Sequence, residues 1–289
     1  MRVFLNVSYH ASSGCVGCPS CSCLDLYLPE RATKLVVFAH GGLWYSGSRR
    51  DIDEVCAALA THRIACATVD YPYSQDLGGC CSPATGCNQT YSQQARNLAA
   101  AVAQASSMVP GVNQVMLGGH SAGGHLALLL ALRWADFAPT RLRAPDAYIG
   151  VEGIYDASLW DAYDESRFAG RFRCQTRQAF GEPSPNPAWV SGSPTAIAAA
   201  RPPSGSALLL HSPEDDYVQP QQAVNLFSVL KAPPNGMHRL DTTGACVRGE
   251  HEDVLKGASA RKLADCISNF TRGHDWLARR AFERHEAAR

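Results

Sequence analysis

The residues from Gly119 to Gly123 have the types and spacing needed for nucleophilic chemistry. This segment, Gly-His-Ser-Ala-Gly, follows an apolar run that favours a β-strand and precedes an apolar run that favours a helix. That context is typical of a G-x-S-x-G nucleophile elbow, in which the serine occupies a strained turn and the glycines avoid backbone clashes. The sequence therefore predicts Ser121 as a nucleophile, against the alternative of a glycine-rich turn without chemistry.

A serine hydroxyl is a weak nucleophile near neutral pH unless a base accepts its proton. His251 lies in the loop after the last predicted strand and is the predicted base. Asp215 or Asp216, after the preceding strand, could hold the imidazole in the required tautomer. The chain order Ser, Asp, His is that of α/β-hydrolases. Other candidates are His211 and His238 for the base, although His211 is expected to support the acid loop, and Glu152 for the acid.

Backbone N–H groups that could stabilise an oxyanion are predicted at two places. Gly41 and Gly42 follow an apolar strand, and neither has a side chain that would block its N–H group. Ala122, directly after the predicted nucleophile, supplies a further N–H group. Each donor of this kind typically contributes about 10²–10³ in rate. His40, just before the two glycines, is expected to brace the loop by hydrogen bonds.

Strands that alternate with helices predict an α/β fold with a mostly parallel central sheet flanked by helices. We predict a single domain over 1–289, with a Cys-rich lead-in at 1–23 and an irregular lid at 156–205. In open parallel sheets the site lies beyond the carboxyl ends of the strands, where every candidate residue falls. The predicted strands are 23–29, 34–39, 63–70, 115–117, 147–151, 207–210 and 237–242, and the predicted helices are 48–61, 90–108, from 125 onward, 219–231 and a closing helix.

The composition argues against several classes of function. Lys and Arg total 26, as do Asp and Glu, so no net charge favours nucleic acid or an anionic membrane as a partner. The first residues do not resemble a signal peptide, and no stretch approaches about 18 consecutive apolar residues. We therefore expect a soluble, cytoplasmic protein that acts on a small molecule. The sequence leaves open whether the protein forms a homodimer.

Twelve cysteines are many for a cytoplasmic enzyme. Two polar segments hold clusters of them, and each cluster could be reduced surface thiols, a disulfide set that joins the two segments, or a structural zinc site. The remaining cysteines are predicted to be ordinary small residues of the core or of helices. The first cluster is Cys15, Cys18, Cys21 and Cys23, the second is Cys80, Cys81 and Cys87, and the remaining residues are Cys56, Cys66, Cys174, Cys246 and Cys266.

Several motifs resemble one family of α/β-hydrolases. His-Gly-Gly-Leu-Trp at 40–44, Gly-His-Ser-Ala-Gly-Gly at 119–124 and His-Glu-Asp-Val at 251–254 are similar to those of kynurenine formamidases (arylformamidases) and hormone-sensitive-lipase-like esterases. The formamidase branch is the closer match, and the resemblance covers about residues 24 to 270. The Cys-rich segments depart from the family pattern near the predicted mouth of the site.

The resemblance implies a function and assigns Asp215, rather than its neighbour, as the acid. It implies an aryl substrate, N-formyl-L-kynurenine, cleaved to L-kynurenine and formate without a cofactor or a metal. The alternatives are a general carboxylesterase of the same fold and a non-catalytic ligand-binding protein. Aromatic side chains that could stack on an aryl substrate, but that could equally be packing residues, are Trp44, Tyr45, Tyr73, Tyr155 and Trp160.

Overall fold

One eight-stranded sheet forms the centre of the molecule, in the order β1-β2-β4-β3-β5-β6-β7-β8. A computed structural model describes residues 1–9, 22–74, 89–182, 187–231 and 236–286, with side chains described as far as residue 273. The pairs β1–β2 and β2–β4 are antiparallel, and every other pair is parallel. The strands are β1 Arg2–Ser8, β2 Cys23–Leu28, β3 Lys34–Ala39, β4 Ile64–Val69, β5 Gln114–His120, β6 Ala147–Val151, β7 Ser206–Leu210 and β8 His238–Asp241.

The sheet confirms the predicted α/β class and adds one strand. The central strands are continuous apolar runs because helices cover both faces of the parallel part. The added strand, Arg2–Ser8, has no counterpart among the predicted strands. It forms the edge of the sheet, with most of its side chains exposed, and it covers the strand Cys23–Leu28.

Helices pack on both faces of the sheet, close to their predicted positions. Ser48 caps a short 3₁₀ turn before α1 through its side chain, and the Asp51 carboxylate accepts the Ser48 N–H at 2.8 Å. Thr90 and Gln93 form the equivalent capping box before α2. The helices are α1 Asp53–Thr61, α2 Tyr91–Ser107, α3 Ala122–Phe137, α4 Ala157–Phe168, α5 Arg173–Phe180, α6 Ala188–Ser191, α7 Pro194–Ala198, α8 Gln221–Val229 and α9 Gly257–Glu286.

The prediction of an irregular segment at 156–205 is wrong in its secondary structure. Its described residues form four helices, α4 to α7. The Asp156 side chain caps the first of them by accepting the N–H groups of Ser158 and Leu159. These helices are short, and Gly and Pro residues separate them. None therefore shows a clear apolar period in the sequence.

Disulfide bonds correct the prediction for the cysteines outside the two clusters. Cys56 and Cys66 join α1 to β4, and Cys246 and Cys266 join the loop after β8 to α9. Cys174 is also disulfide-bonded. Disulfides persist mainly in oxidising compartments, which argues against the expected cytoplasmic location. Of the two predicted clusters, all members except Cys23 lie outside the described residues.

No helix in the described ranges combines the length and the apolar character needed to cross a bilayer.

Candidate active site

Ser121 occupies the sharp turn between β5 and α3. Its backbone has φ 52° and ψ −120°, which is a costly conformation for a residue with a side chain. A Cβ atom at Gly119 would overlap the backbone of Gly123, and one at Gly123 would overlap the carbonyl oxygen of Ala39. The two glycines are therefore required by the close approach of the strand, turn and helix, and the predicted elbow is present.

His251 lies in the loop before α9 and is almost fully buried. Its Nδ1 atom is 2.9 Å from Oδ2 of Asp215, whereas Asp216 contacts only its backbone, accepting the His251 N–H at 3.1 Å. If Nδ1 donates to Asp215, Nε2 is left as the atom that can accept a proton. The geometry therefore distinguishes the two aspartates, and it favours Asp215 as the partner of the imidazole.

Asp215 is held by several donors besides His251. Its Oδ1 atom accepts the N–H groups of Tyr217 and Val218, each at 2.9 Å, and its Oδ2 atom lies 3.0 Å from Nε2 of His211. Burial would raise the pKa of Asp215, but hydrogen bonds from His211 and His251 outweigh it and hold the pKa well below its usual range. Asp215 is therefore a charged, fixed acceptor, and His211 supports it as expected.

Two further buried side chains contact His251, and the sequence predicted one of them, Glu152, only as an alternative acid. Glu152 places Oε2 at 3.4 Å from Nδ1 of His251, and Nε2 of His120 lies 2.9 Å from the His251 carbonyl oxygen. Burial would lower the pKa of His251, but hydrogen bonds and charge from Asp215 and Glu152 raise it to about 10. The imidazole therefore sits in a strongly anionic environment.

The glycines after β3 lie directly against the elbow. A Cβ atom at Gly41 would be 3.0 Å from Cβ of Ser121, and Gly42 has φ +100°, which favours glycine. In the part of the chain that the structure describes, the N–H groups of both glycines lack a protein acceptor. Ala122 is the first residue of α3, where N–H groups have no acceptor within the helix. Gly41 and Ala122 are thus adjacent to Ser121, and Gly42 lines the same cavity as Ser121.

The loop that carries these glycines is braced from below. Tyr71 donates its hydroxyl to the His40 carbonyl oxygen at 3.0 Å and stacks on the His40 ring at 4.4 Å between centroids. Trp44 is fully buried and donates its Nε1–H to Nδ1 of His125 at 3.0 Å. Burial lowers the pKa of His125 to about 4, so this ring is a neutral acceptor. The His40 side chain braces the same loop, as predicted, because its Nδ1 atom lies 2.7 Å from the Gly41 carbonyl oxygen.

A cavity of about 250 Å³ opens at the carboxyl ends of the strands and contains the side chains of both Ser121 and His251. Four of its twelve lining residues are Phe, Trp or Tyr, and α4 and α5 supply part of the wall. Among the described residues, the lining includes Glu252 as a charged side chain but no Lys or Arg. The lining residues are Gly42, Leu43, Tyr45, Ser46, Ser121, Trp160, Phe172, Gln175, Tyr217, Val218, His251 and Glu252.

The structure corrects part of the prediction for substrate-stacking aromatics. Tyr45 and Trp160 line the cavity. Trp44 and Tyr155 do not, because both are fully buried in the core, and Tyr73 donates its hydroxyl to the Gly47 carbonyl oxygen outside the lining. The sequence missed two aromatic lining residues, Phe172 and Tyr217. Tyr217 had one local signal, because it lies two residues after the predicted acid.

Two groups of described side chains have the atom types and spacing of a metal site. One is Glu152, Asp215 and His251, and the other is His120, His251 and Glu252, with ligand atoms within 4.8 Å of one another. Both groups include His251. A metal in either group would therefore compete for the imidazole that Asp215 holds.

The sheet order, the strained serine between β5 and α3, and the histidine in the loop before the last helix define an α/β-hydrolase, and the protein is a hydrolase. A family model matches residues 24–230, and the chain belongs to this family, BD-FAE, which is a family of α/β-hydrolases.

Curated relatives and solved structures agree with this assignment. Kynurenine formamidase avaC of Aspergillus versicolor is 27% identical over 249 residues, which is 76% of this chain and 83% of the relative. A kynurenine formamidase of Salmo salar is 27% identical over 159 residues, 54% of this chain and about half (47%) of the relative. Esterase B of Lactobacillus rhamnosis has a TM-score of 0.72 at 18% identity, with 99% of this chain and 88% of that one covered. At such low identity the structural likeness shows the fold alone.

Proposed function

We propose that this hydrolase removes a small acyl group from an aryl amine, and that its substrate is N-formyl-L-kynurenine, which yields L-kynurenine and formate. The two curated relatives with kynurenine formamidase names support this substrate. Four aromatic side chains among the twelve lining residues of the cavity, those of Tyr45, Trp160, Phe172 and Tyr217, support an aryl group in general.

In the proposed reaction, Ser121 attacks the formyl carbon while Nε2 of His251 accepts the hydroxyl proton. Asp215 keeps the other proton on Nδ1 and stabilises the imidazolium that forms. When the C–N bond breaks, the imidazolium returns the proton to the aryl amine. Water then hydrolyses the formyl-serine ester, again with His251 as base, and formate leaves.

The negative charge that develops on the formyl oxygen needs donors that are already oriented. Gly41 and Ala122 lie next to Ser121, and Gly42 lines the same cavity. The N–H groups of the two glycines are not used by the described protein. Donors that need no rearrangement lower the barrier because the cost of orienting them is met by folding. We propose these three groups as the oxyanion hole.

The observation that carries the proposal is the combination of two geometries in one cavity. Ser121 has the positive φ of a nucleophile elbow, and His251 in the same cavity is held at 2.9 Å by a buried carboxylate. A strained serine and an oriented imidazole that share a cavity are the arrangement required for acyl transfer. A glycine-rich turn without chemistry would need neither.

The test is formate release from N-formyl-L-kynurenine, compared with release from N-formylaniline and with p-nitrophenyl acetate hydrolysis. The proposal expects kcat/KM for N-formyl-L-kynurenine to exceed that for N-formylaniline. Ser121→Ala is the matched control, because its backbone keeps the same turn and only the hydroxyl is lost. Rapid turnover of the ester with no formate from either formamide would refute the formamidase assignment.

A carboxylesterase with neutral substrates is a second candidate, and the charge of the cavity favours it. In its described lining, no Lys or Arg is available to pair with the carboxylate of an amino-acid substrate, while Glu252 is exposed there. A formamidase for N-formyl-L-kynurenine would have to bind that carboxylate through neutral donors or leave it in solvent. An esterase would give higher kcat/KM for uncharged aryl esters than for any N-formyl amino-acid derivative.

A further inference from the structure

A second carboxylate lies beside the predicted base, at the end of the strand next to β5. Glu152 directly follows β6, is completely buried, and has φ 51°. Positive φ is costly for a residue with a side chain, and so is the burial of a carboxylate. A residue that carries both costs at the rim of a reactive site indicates that its charge is used there.

The two oxygens of the Glu152 carboxylate have different partners. Oε1 accepts the Ser212 N–H at 3.1 Å, which ties the residue to the start of the acid loop. Oε2 is 3.4 Å from Nδ1 of His251 and 3.4 Å from Nε2 of His120. Both distances are slightly longer than the usual hydrogen bond of about 2.7–3.2 Å. A small movement of the imidazole would therefore exchange one carboxylate partner for the other.

The other groups around His251 leave this exchange open. The ring of His120 lies 4.4 Å from that of His251, and the side chain of Asp216 contacts only the backbone N–H. The Tyr217 ring is tilted relative to the imidazole at 5.7 Å between centroids, and His211 contacts Asp215 rather than the base. A carboxylate oxygen of Glu252 lies within 4.8 Å of a ring nitrogen of His251. Among the described residues, the acidic side chains within 3.4 Å of Nδ1 are Asp215 and Glu152, on the loops after β7 and β6.

We propose that Glu152 is a positioning residue that acts as a second acid for His251. In the resting enzyme its charge adds to that of Asp215 and stabilises the imidazolium. When Asp215 cannot accept a hydrogen bond from Nδ1, Glu152 takes over. The inference rests on the proposed function, because it assumes that His251 is the base.

The test is the rate at which a fluorophosphonate labels Ser121, measured against pH, because this rate needs the base but not the natural substrate. In Glu152→Gln the amide oxygen still accepts the Ser212 N–H, while an uncharged NH₂ group replaces the oxygen that faces His251. We expect the pH midpoint of labelling to fall by about one unit, because an opposite charge at this distance typically moves a pKa by about 1–3 units. Glu152→Asp keeps the charge and should keep a midpoint close to that of the unmodified chain.

The double variant tests the replacement of one acid by the other. Asp215→Asn should reduce the labelling rate by about 10²-fold, less than the roughly 10⁴-fold loss typical of enzymes with a single acid. Adding Glu152→Gln should lower the remaining rate to that of His251→Ala. A double variant as active as Asp215→Asn would overturn the inference, and so would an unchanged midpoint in Glu152→Gln.

A structural control separates charge from stability. Asp25 is another completely buried carboxylate, held by Arg49 at 3.0 Å and Arg50 at 3.2 Å in a cluster that does not contact His251. Asp25→Asn should lower the melting temperature of the protein without moving the pH midpoint of fluorophosphonate labelling. If Ser121 were labelled at the normal rate in His251→Ala, His251 would not be the base, and both the proposed function and this inference would be wrong. If His251→Ala lost labelling but the Glu152 variants kept the normal rate and pH midpoint, only this inference would be wrong.

Discussion

Two sides of the site are built in different ways. The elbow side, made of Gly41, Gly42 and residues 119–123, is positioned by backbone packing in which glycines allow close approach. The acid–base side, made of Glu152, Asp215 and His251, is positioned by side-chain hydrogen bonds among buried charged groups. A change on the elbow side should abolish the site or the fold, whereas a change to either carboxylate on the acid–base side should alter the rate and its pH dependence by degrees.

The largest effect is expected for Ser121→Ala, on the elbow side. Loss of the nucleophile should reduce kcat by about 10⁴–10⁶-fold, as removal of a serine nucleophile generally does. Alanine can take the same backbone conformation, so the melting temperature should stay close to that of the unmodified protein. The measurements are ester hydrolysis and thermal unfolding of both proteins. Activity within tenfold of normal would remove Ser121 from the mechanism.

Gly123→Ala should destabilise the fold as well as the site. The added methyl group would overlap the carbonyl oxygens of Ala39 and His40, which belong to the backbone and cannot rotate away. Overpacking of this kind costs about 1–3 kcal/mol or more. Gly273→Ala is the control, because Gly273 has no positive φ and an added Cβ there would meet no atom closer than 3.4 Å. If the two variants unfold at the same temperature, close packing does not position the elbow.

The two neighbouring aspartates should differ strongly on the acid–base side. Asp215→Asn removes the partner of Nδ1 at 2.9 Å, whereas Asp216→Asn changes an acceptor that contacts only the backbone N–H of His251. We expect kcat/KM to fall by about 10²-fold in the first variant and by less than about tenfold in the second. The comparison uses p-nitrophenyl acetate at one fixed pH. Equal losses would contradict the geometry.

The pH dependence should report the anionic environment of the imidazole. The base acts when neutral, so kcat/KM should increase as pH rises through the pKa of His251. Hydrogen bonds and charge from Asp215 and Glu152 raise that pKa to about 10, above the usual value of about 6.5. The acid limb of kcat/KM should therefore have its midpoint clearly above 6.5. A midpoint at or below that value would show that the two carboxylates do not act on the base.

The smallest effect is expected at the mouth of the cavity. Glu252 is exposed and lines the cavity, so it should repel anionic aryl esters weakly through solvent. Glu252→Gln should raise kcat/KM for an anionic ester relative to a neutral one by about twofold to fivefold. The ratio of the two substrates cancels any change in the base itself. The effect should shrink at high salt, and a ratio that does not change would exclude this role.

The same comparison explains what the sequence could predict. The elbow was predictable because five consecutive residues between an apolar strand and an apolar helix contain all of its requirements. The glycines proposed for the oxyanion hole, Gly41 and Gly42, were predictable because they directly follow a buried strand. These are local patterns, and the backbone geometry that they require leaves few alternatives.

The acid–base side was only partly predictable, because loops far apart in the chain form it. His120 and the His251 carbonyl oxygen are 131 residues apart, and no local pattern indicates their contact. Chain order and strand ends indicated His251 and left Asp215 and Asp216 as alternatives for the acid, and the family resemblance favoured Asp215. The place of Glu152 beside Nδ1 depends on how the loops after β6 and β7 meet. Disulfide partners were missed for the same reason, since the spacing of cysteines does not determine their pairing.

The bond between Cys246 and Cys266 bears on how the enzyme should be handled. It closes the segment that leads to His251 onto the last helix, so the imidazole is tethered covalently from one side and by Asp215 from the other. A thiol reagent in a storage buffer would release the first tether and leave the second intact. Two preparations of the same protein would then differ in activity if only one of them had been stored with a reducing agent. Kinetic comparisons between variants should therefore use samples with the same history of exposure to thiols.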